Sequence, residues 1–257
     1  MIKQNIKKLY KRIISEKTRI NAIYRINKIK GFFLRGNRFY CNYCSTGFRK
    51  FLPKGNIARE NAMCPNCMSL ERTRLLLEYL KNETGIFRNN VKVLHFAPER
   101  CLFNVLVKQN IYYVDGDINP LLAREVIDIT NIQYPDKSFD IIICSHVLGH
   151  IPDEKKALSE LNRVLSDNGE LLIMSLIDFN REVTLESDKI KTAEDKLKNY
   201  GEPDLERLYG RDIVTRLQNG GFNVEQIDYR ENIEGDSRQK LSLGDGSREM
   251  IFKCTKR

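Results

Sequence analysis

Five short apolar runs follow one another between residues 91 and 178, and each ends in acidic or turn residues. In order they read VKVLHFAPE, YYVDGDINP, EVIDIT, SFDIIICSHVLGHI and ELLIMSLID. Runs at this spacing, with helical patterns between them, are typical of successive strands of a parallel sheet. The pattern predicts an α/β fold with helices on both faces of the sheet. A helix over 211–219 and strands over 222–229 and 249–254 complete a predicted seven-stranded sheet with an antiparallel last pair.

Residues 1–37 show a helical pattern in which Lys and Arg occupy the polar faces. The apolar positions near helical spacing are Ile2, Ile6, Leu9, Ile13, Ile20, Tyr24 and Ile26. They predict a basic amphipathic helix that ends near Gly31 and Gly36. Such a helix can lie on a membrane surface rich in anionic lipid. It can equally pack its apolar stripe on its own protein or on a second subunit, which is the commoner arrangement.

The charge of the chain is divided unevenly, although its net value is only +9. Residues 1–90 contain 20 Lys/Arg and 5 Asp/Glu, whereas residues 91–257 contain 23 and 29. The basic third favours a polyanionic partner, namely nucleic acid, an anionic membrane or a phosphorylated substrate, over a solvated helix without a partner. No apolar stretch reaches the ~18 residues of a membrane span, and the N-terminus shows no apolar signal core. A cytoplasmic protein is therefore expected, with peripheral contact at the inner face of the membrane as an option.

Two CxxC pairs, Cys41 with Cys44 and Cys64 with Cys67, are separated by 19 residues. Zinc ribbons bring two such pairs together so that four thiolates surround one Zn²⁺. The pattern predicts a structural zinc knuckle over 38–68, with four free thiols or a redox pair as the alternatives. Residues 69–90 then contain a linking helix, capped by Ser69. Near its start Arg72 and Arg74 either face a substrate groove or are ordinary surface charges.

The remaining cysteines, Cys101, Cys144 and Cys254, are isolated in the sequence. Cys144 and Cys254 stand in apolar, strand-like runs. In a chain without a signal peptide, all three are interpreted as buried thiols.

The segments after residue 91 together resemble the class I S-adenosylmethionine (SAM)-dependent methyltransferases of the type 11-like group. The SFDIIICSHVLGHI and LNRVLSDNGELLI segments carry most of this resemblance. CPNCMSLER (64–72) followed by VLHFAPE (93–99) is similar to a bacterial subgroup in which a CPxCxSLER-type knuckle precedes a VLHFAPE strand. That subgroup is often linked to surface-glycan synthesis. The resemblance implies a Rossmann-like seven-stranded methyltransferase domain over 91–257.

The resemblance also implies which residues hold SAM. Most class I enzymes end the first strand with an acid and a glycine-rich loop, where this chain has His95 and the run Phe96, Ala97, Pro98 and Glu99. Ala97 is small enough for close approach to the cofactor, and Glu99 offers a carboxylate to its amino group. The expected cofactor-binding residues are Phe96, Ala97, Pro98, Glu99, Asp117, Ile118, Asp128, Ile129, Ser145 and His146.

Individual roles follow from the same resemblance. Asp117 is expected to accept hydrogen bonds from the ribose hydroxyls, with Asp115 as the alternative, and Asp128 to accept one from the adenine amino group. Ile129 would cover the adenine ring. His146 is the tentative general base, or else a structural histidine.

Two departures from the resemblance bear on catalysis. Gly149 stands where family members have a glutamate, and Leu205 stands where the subgroup has a histidine. His150 remains, and a structural role is favoured for it.

The resemblance implies transfer of a methyl group from SAM to an oxygen or nitrogen acceptor, with a glycan or sugar precursor favoured. An RNA methyltransferase that uses the knuckle and the basic N-terminus is the alternative. A non-catalytic scaffold with the SAM fold is a further alternative, because the glycine loop is missing. The sequence leaves the oligomeric state open.

Overall fold

The computed structural model describes residues 16–257, and it begins with a basic helix, α1, over Glu16–Phe33. Four predicted apolar positions, Ile2, Ile6, Leu9 and Ile13, lie outside the described residues. The helix continues past Gly31 and lies against the knuckle there. A Cβ on Gly31 would lie 3.4 Å from the Pro65 Cβ, which is an ordinary van der Waals contact. No helix within 16–257 is long and apolar enough to cross a membrane.

The apolar stripe of α1 is largely exposed. Tyr24 is half-buried and its ring lies 4.3 Å from the Arg100 guanidinium. In contrast, Ile26 is 52% exposed, so packing of this position on its own chain, one of the predicted alternatives, is wrong. The other large apolar residues of the helix that are exposed are Ile23, Ile29, Phe32 and Phe33.

Residues 35–63 form two small hairpins. Strands β1 (Arg35–Cys41) and β2 (Thr46–Phe48) pair antiparallel, as do β3 (Leu52–Lys54) and β4 (Arg59–Met63). An aromatic cluster fills the space between them, with the Phe39 and Phe48 rings 5.2 and 5.7 Å from that of Phe51. The knuckle therefore has a small apolar core of its own.

Helix α2 (Glu71–Glu83) follows, and its first residues differ from the prediction. Leu70, not Ser69, is the N-cap residue, and its backbone N–H donates to Thr73 Oγ1 at 2.8 Å. Ser69 is fully buried beside the cysteines instead. Arg74 is likewise fully buried, so it is neither a groove residue nor a surface charge.

Arg74 fastens the knuckle to the C-terminal part of the chain. Its guanidinium donates to four backbone carbonyls and lies 4.6 Å from the centre of the Phe51 ring. The carbonyls belong to Ala62, Ser69, Leu241 and Ser242. Because every donor bond goes to backbone, the charge is buried without an acidic partner.

The predicted seven-stranded sheet is confirmed. Its strands are β5 (Lys92–Phe96), β6 (Tyr112–Asp117), β7 (Glu125–Val126), β8 (Phe139–Ser145), β9 (Leu165–Met174), β10 (Phe222–Ile227) and β11 (Ile251–Lys256). They lie in the order β10-β11-β9-β8-β5-β6-β7. Strands β5 to β9 run parallel, and β11 is antiparallel to both of its neighbours. The third strand, β7, has only two residues.

Helices cover both faces of the sheet, as predicted. On one face lie α2 and α3 (Arg100–Leu106), and on the other lie α4 (Glu154–Val164) and α6 (Ile213–Asn219). The chain also contains α5 (Ala193–Tyr200) and α7 (Gly235–Leu241), of which α7 contacts β1 of the knuckle. Alternation along β8 divides the core, because Ile142 and Cys144 pack with α4 and α6 while Ile141 and Ile143 pack with α2 and α3. Asp153 caps α4, as predicted, by accepting from the Lys156 N–H at 3.0 Å. Cys101, Cys144 and Cys254 are buried free thiols, which confirms their interpretation.

Candidate active site and metal centre

A cleft of about 440 Å³ opens at the carboxyl ends of β5, β6 and β8. Open parallel sheets bind ligands at this edge, where the strand order reverses direction. Seven of the ten predicted cofactor residues line the cleft, namely Phe96, Ala97, Asp117, Ile118, Asp128, Ile129 and His146. Pro98, Glu99 and Ser145 are not part of its wall.

The two aspartates at the end of β6 have different surroundings. Asp115 is 1% exposed and forms an ion pair with Arg124, and it also accepts from the Arg124 backbone N–H at 2.9 Å. Asp117 lines the cleft, and its Oδ1 accepts from the Asn119 N–H at 2.7 Å. Of these two aspartates, only Asp117 lines the cleft, whereas the Asp115 carboxylate is engaged by the Arg124 guanidinium. Asp117 is the better placed of the two for the predicted ribose contact.

The adjacent part of the wall, after β7, combines a carboxylate with apolar surface. Asp128 Oδ1 accepts from both the N–H and the hydroxyl of Thr130 at 2.8 Å, which fixes the carboxylate at the cleft. Ile129 beside it is 4% exposed. Gly116 lets this wall approach β6, because a Cβ there would lie 2.6 Å from Ile127 Cδ1. A flat ring between apolar side chains, with one polar edge near Asp128, fits this arrangement.

Two cleft residues have the left-handed backbone conformation that glycine usually supplies. Ala97 follows β5 with φ +46°, and His146 follows β8 with φ +56°. For residues with a Cβ this conformation costs free energy, and it concentrates at functional sites. Ala97 therefore has, at one position, the left-handed backbone conformation that a glycine of the usual glycine-rich loop would adopt.

His146 is held in a defined orientation. Its Nε2 lies 3.0 Å from the Arg248 carbonyl oxygen. Because a carbonyl only accepts, this contact assigns the proton to Nε2 and leaves Nδ1 with a free lone pair. Burial, together with the charges of Arg72 and Arg248, holds the pKa of His146 well below its usual 6.5. The imidazole is neutral near pH 7.

Glu99 lies in a polar cluster beside the cleft. Its Oε1 is 3.7 Å from Arg72 Nε and 3.5 Å from Ser145 Oγ, and its Oε2 is 3.4 Å from His95 Nε2. Burial acts to raise the pKa of Glu99, but His95 and Arg72 outweigh it and hold the pKa below the ordinary value. His95, which replaces the usual acid, is fully buried, and its Nδ1 lies 2.9 Å from the Tyr113 hydroxyl.

Several residues of the cleft were not singled out as cofactor-binding from the sequence. They are Gly116, Ile127, Val147, His150, Ile151 and Asp204. Asp204 belongs to the polar segment after β9. Because this segment is far along the chain from the strand ends that form the cleft, the sequence did not predict that Asp204 lies there. Its backbone carbonyl lies 3.1 Å from His150 Nδ1. Gly149 and Leu205, the two residues that depart from the resemblance, lie close together near the cleft. A Cβ on Gly149 would lie 2.9 Å from Leu205 Cδ2.

The four cysteines of the knuckle converge. Their sulfurs all lie within 4.8 Å of one another, with Cys41 to Cys67 at 3.4 Å and Cys44 to Cys64 at 3.7 Å. Sulfurs bound tetrahedrally to Zn²⁺ at ~2.3 Å are about 3.8 Å apart, so the set fits this ion, whereas a disulfide needs ~2.05 Å. The Ser69 hydroxyl lies 3.2 Å from Cys41 Sγ and 3.3 Å from Cys67 Sγ. With four thiolates as ligands, no coordination position remains for a substrate.

The strand order, the antiparallel β11 and the cleft define a Rossmann-like sheet of the class I methyltransferase type. Residues 107–173 match a family described as a methyltransferase domain. The matched segment runs from the end of α3 to β9.

Solved structures show the same fold at low sequence identity. The [4+2]-cyclase SpnF aligns with a TM-score of 0.51 and 12% identity, over 95% of this chain and 97% of that one. A second match is a chain from the complex between the Haloferax volcanii Trm112 methyltransferase activator and a methyltransferase. It aligns with a TM-score of 0.50 and 10% identity, over 72% of this chain and 90% of that one. Since one of these proteins is a cyclase, the fold alone does not fix the reaction.

The curated relatives align with this chain over only part of their own length. The tRNA U34 carboxymethyltransferase of Nautilia profundicola is 29% identical over 65% of this chain and 52% of its own. Ajmaline N-methyltransferase of Rauvolfia serpentina is 24% identical over 41% of this chain and 34% of its own. The chain thus spans about half of the first relative and a third of the second.

Proposed function

We propose that the protein transfers a methyl group from SAM to an oxygen or nitrogen acceptor. The observation that carries this proposal is the pair of carboxylates, Asp117 and Asp128, at neighbouring strand ends of one cleft. Asp117 would bind the ribose hydroxyls, and Asp128 the adenine amino group beside Ile129. SAM would supply the sulfonium methyl group, and the protein would align the acceptor and take up its proton.

His146 is proposed to orient the methyl acceptor and, as a weak base, to take up its proton. Its free Nδ1 follows from the contact between Nε2 and the Arg248 carbonyl. Because its pKa is low, the imidazole is available in its neutral form throughout the physiological range. The same low pKa makes it a weak base, so its main contribution would be to orient the acceptor.

The test of the proposed function is cofactor binding measured by calorimetry. Asp117→Ala removes the acceptor of two hydrogen bonds, each worth roughly 1.5–3 kcal/mol when one partner is charged, so SAM affinity should fall at least tenfold. Asp128→Ala removes one adenine contact and should weaken binding less. Asp115→Ala is the control, which should lower the melting temperature more than the affinity, because Asp115 pairs with Arg124. If the intact protein binds no SAM, the non-catalytic scaffold becomes the better interpretation.

We infer that the acceptor is a glycan or a sugar precursor. The subgroup resemblance is the first support. The second is the rim of the cleft, where the Asp204 side chain is 73% exposed and His150 stands beside it. Carboxylates accept hydrogen bonds from hydroxyl groups but repel phosphates, so this rim favours a neutral, hydroxyl-rich acceptor.

RNA is the second candidate acceptor, and the charge of the N-terminal module favours it. Residues 16–68 contain 11 Lys/Arg and 2 Asp/Glu. Of the ten basic residues whose side chains the structure describes, only Lys50 and Arg59 have an ion pair. The relative from Nautilia profundicola is by its name an enzyme of tRNA. A basic surface of this kind is what a phosphate backbone requires.

We also propose that Cys41, Cys44, Cys64 and Cys67 hold one structural Zn²⁺. The support is the convergence of their sulfurs within 4.8 Å, at separations that suit tetrahedral coordination. The ion would fix the two hairpins against each other and against the first turn of α2.

A further inference from the structure

Another group of side chains that could bind a metal ion lies at the rim of the cleft, apart from the four cysteines. His150, Glu202 and Asp204 each offer one ligand atom, and these atoms lie within 4.8 Å of one another. His150 and Asp204 also line the cleft. No local pattern connects the three residues, because His150 follows β8 whereas Asp204 comes 54 positions later, after α5.

The separations within this group match those between ligands of a single ion. His150 Nδ1 lies 3.1 Å from the Asp204 carbonyl oxygen and 3.6 Å from Asp204 Oδ1. Ligands held at ~2.1 Å around an octahedral ion are about 3.0 Å apart when adjacent and about 4.2 Å apart when opposite. Without an ion, Nδ1–H can donate to the carbonyl, so an ion requires the tautomer with its proton on Nε2. Asp204 can then contribute two oxygens beside the imidazole.

The backbone that carries the two carboxylates is held in place. Leu205 is 4% exposed, and the Glu206 N–H donates to the Gly149 carbonyl at 2.8 Å. Arg248 Nη1 donates to Glu202 Oε1 at 2.8 Å, which leaves Oε2 for an ion. Carboxylates that bind metals are usually oriented by a hydrogen bond of this kind.

The charges at the rim also favour a cation. Among the described residues, Glu202 pairs with Arg248, and Asp204 pairs with His150 only when that imidazole is protonated. With a neutral imidazole, the two carboxylates exceed the single guanidinium by one negative charge. The Asp204 side chain is largely exposed, so an ion can enter from solvent.

We propose that His150, Glu202 and Asp204 bind one divalent cation of the Mn²⁺ type at the rim of the cleft. A mixed set of imidazole, carboxylate and carbonyl ligands suits this ion, whereas a thiolate set such as that of the knuckle selects Zn²⁺. With four protein ligands, two of six octahedral positions remain for oxygens of the methyl acceptor. This inference rests on the proposed function and narrows the acceptor to one with two neighbouring hydroxyl groups.

The cation would complement His146. The low pKa of His146 makes it a weak base, and a cation that binds a hydroxyl oxygen makes its proton easier to remove. In the transfer, the acceptor oxygen would form the bond to the methyl carbon, and the electron pair of the carbon–sulfur bond would stay on sulfur. The hydroxyl proton would pass to His146 Nδ1 and from there to water. Arg248 connects both parts of the site, because its side chain orients Glu202 and its carbonyl orients His146.

The test is a titration with Mn²⁺, followed by the loss of the electron paramagnetic resonance signal of the free ion. Wild type should bind one Mn²⁺ per chain without any change in its zinc content. Asp204→Asn and Glu202→Gln should each weaken binding about tenfold or more, because even the loss of an outer partner of a metal ligand costs roughly 10–100-fold. Glu206→Gln is the matched control, since it removes a carboxylate of the same segment that pairs with Lys196 instead. It should change the affinity less than twofold.

Line broadening by bound Mn²⁺ locates the ion relative to the cofactor. With Mn²⁺ present, the proton NMR signals of S-adenosylhomocysteine should broaden on wild type but not on the double variant Glu202→Gln with Asp204→Asn. Equal Mn²⁺ affinity in wild type and the double variant would overturn the site, and so would Mn²⁺ binding without broadening. If wild type binds no S-adenosylhomocysteine, the proposed function itself fails. If it binds S-adenosylhomocysteine but no Mn²⁺, the function stands and only the cation site is rejected.

Discussion

Ala97 and His146 show how single residues shape the cleft. Both have positive φ angles at the ends of adjacent parallel strands, and neither is a glycine. Such backbone costs of the order of 1–3 kcal/mol per residue and persists only where surrounding contacts impose it. For His146 these contacts include its backbone N–H, which donates to the Met174 carbonyl at 2.7 Å, and its ring contact to Arg248. The site is therefore shaped before any ligand arrives.

The buried state of His146 predicts a pH dependence of stability. In the unfolded chain this imidazole takes up a proton near pH 6.5, whereas in the folded protein its pKa is well below that value. Between pH 6.5 and the folded pKa the unfolded state binds more protons, so stability falls as the pH falls, by up to about 1.4 kcal/mol per pH unit. His146→Asn should flatten this dependence between pH 7 and 5, and asparagine tolerates the positive φ. Urea unfolding at several pH values measures it.

His150→Asn serves as the control for this measurement, because it removes a less buried histidine of the same cleft. Equal pH dependence in wild type and His146→Asn would show that folding does not neutralise His146. In that case the assignment of the free Nδ1 lone pair would lose its support.

At the scale of the elements, the knuckle and α2 act as one piece. Asn42 Nδ2 donates to the Arg74 carbonyl at 2.9 Å, and the Tyr43 hydroxyl donates to the Thr73 carbonyl at 3.0 Å. Both donors stand between Cys41 and Cys44, so the first CxxC turn is attached directly to the helix. Any shift of the cysteine cluster would be transmitted to the first two turns of α2.

Zinc binding can be predicted at this scale. Protein purified without added metal should contain one Zn²⁺ per chain by elemental analysis. Cys64→Ser should lose the metal and lower the melting temperature, because the ion contributes to folding. Cys254→Ser is the control, since this buried thiol lies in the sheet core and should leave the metal content unchanged. Folded wild-type protein without metal, or with a disulfide in either CxxC pair, would contradict the assignment.

Strands and helices of the sheet domain were predictable because periodic apolar runs reflect local burial. Asp153 as the cap of α4 is equally local, since its partner is three residues away. Ser69 and Arg74 were not predictable, because their roles depend on residues that are distant in sequence. The carbonyls that accept from Arg74 include those of Leu241 and Ser242, 167 and 168 positions later. Long-range partners of this kind leave no signal in a local pattern.

In the candidate site, residues at strand ends could be predicted from local patterns, whereas residues in loops could not. Asp117 and Asp128 follow apolar runs, so their position at the sheet edge was predictable. Asp204 belongs to a long polar segment, which long-range contacts hold at the cleft. In one of them the Glu206 N–H donates to the Gly149 carbonyl at 2.8 Å. Arg72 was suggested only as one of two groove residues, and the structure separates it from Arg74.

The whole molecule combines a mildly acidic sheet domain with a basic N-terminal module. On α1 the exposed apolar residues Ile23, Ile26 and Phe33 lie among exposed cations such as Arg25 and Lys28. Neither of these two cations has an ion pair among residues 16–257. This combination suits an anionic membrane surface, which takes up apolar side chains and attracts the charges together. A nucleic acid would use the charges, and exposed phenylalanines can stack on its bases, but it has no apolar interior for the isoleucine side chains.

Two sets of substitutions separate these partners. Ile23→Ser with Ile26→Ser should reduce binding to vesicles of anionic lipid, because apolar insertion is lost, and should leave RNA binding weak as in wild type. Arg25→Glu with Lys28→Glu should reduce vesicle binding as well. Flotation with vesicles and filter binding with RNA measure the two affinities, and neither set should alter the SAM affinity.

Submicromolar RNA binding that falls steeply with salt would contradict the membrane interpretation. If this binding is lost with the charge reversals and kept with the serine substitutions, RNA becomes the favoured acceptor. A stable dimer that the serine substitutions dissociate would instead assign the stripe to a second subunit.

The buried charge of Arg74 has a consequence for how the protein unfolds. A guanidinium buried without an acidic partner is tolerated only while its backbone acceptors on both sides stay in place, and these belong to the knuckle and to the C-terminal segment. Separating the two modules would leave that charge without partners in a poorly hydrated place, which is costly. We therefore expect the knuckle and the sheet to unfold together in a single transition. Loss of the metal should lower the midpoint of that transition rather than reveal an earlier one.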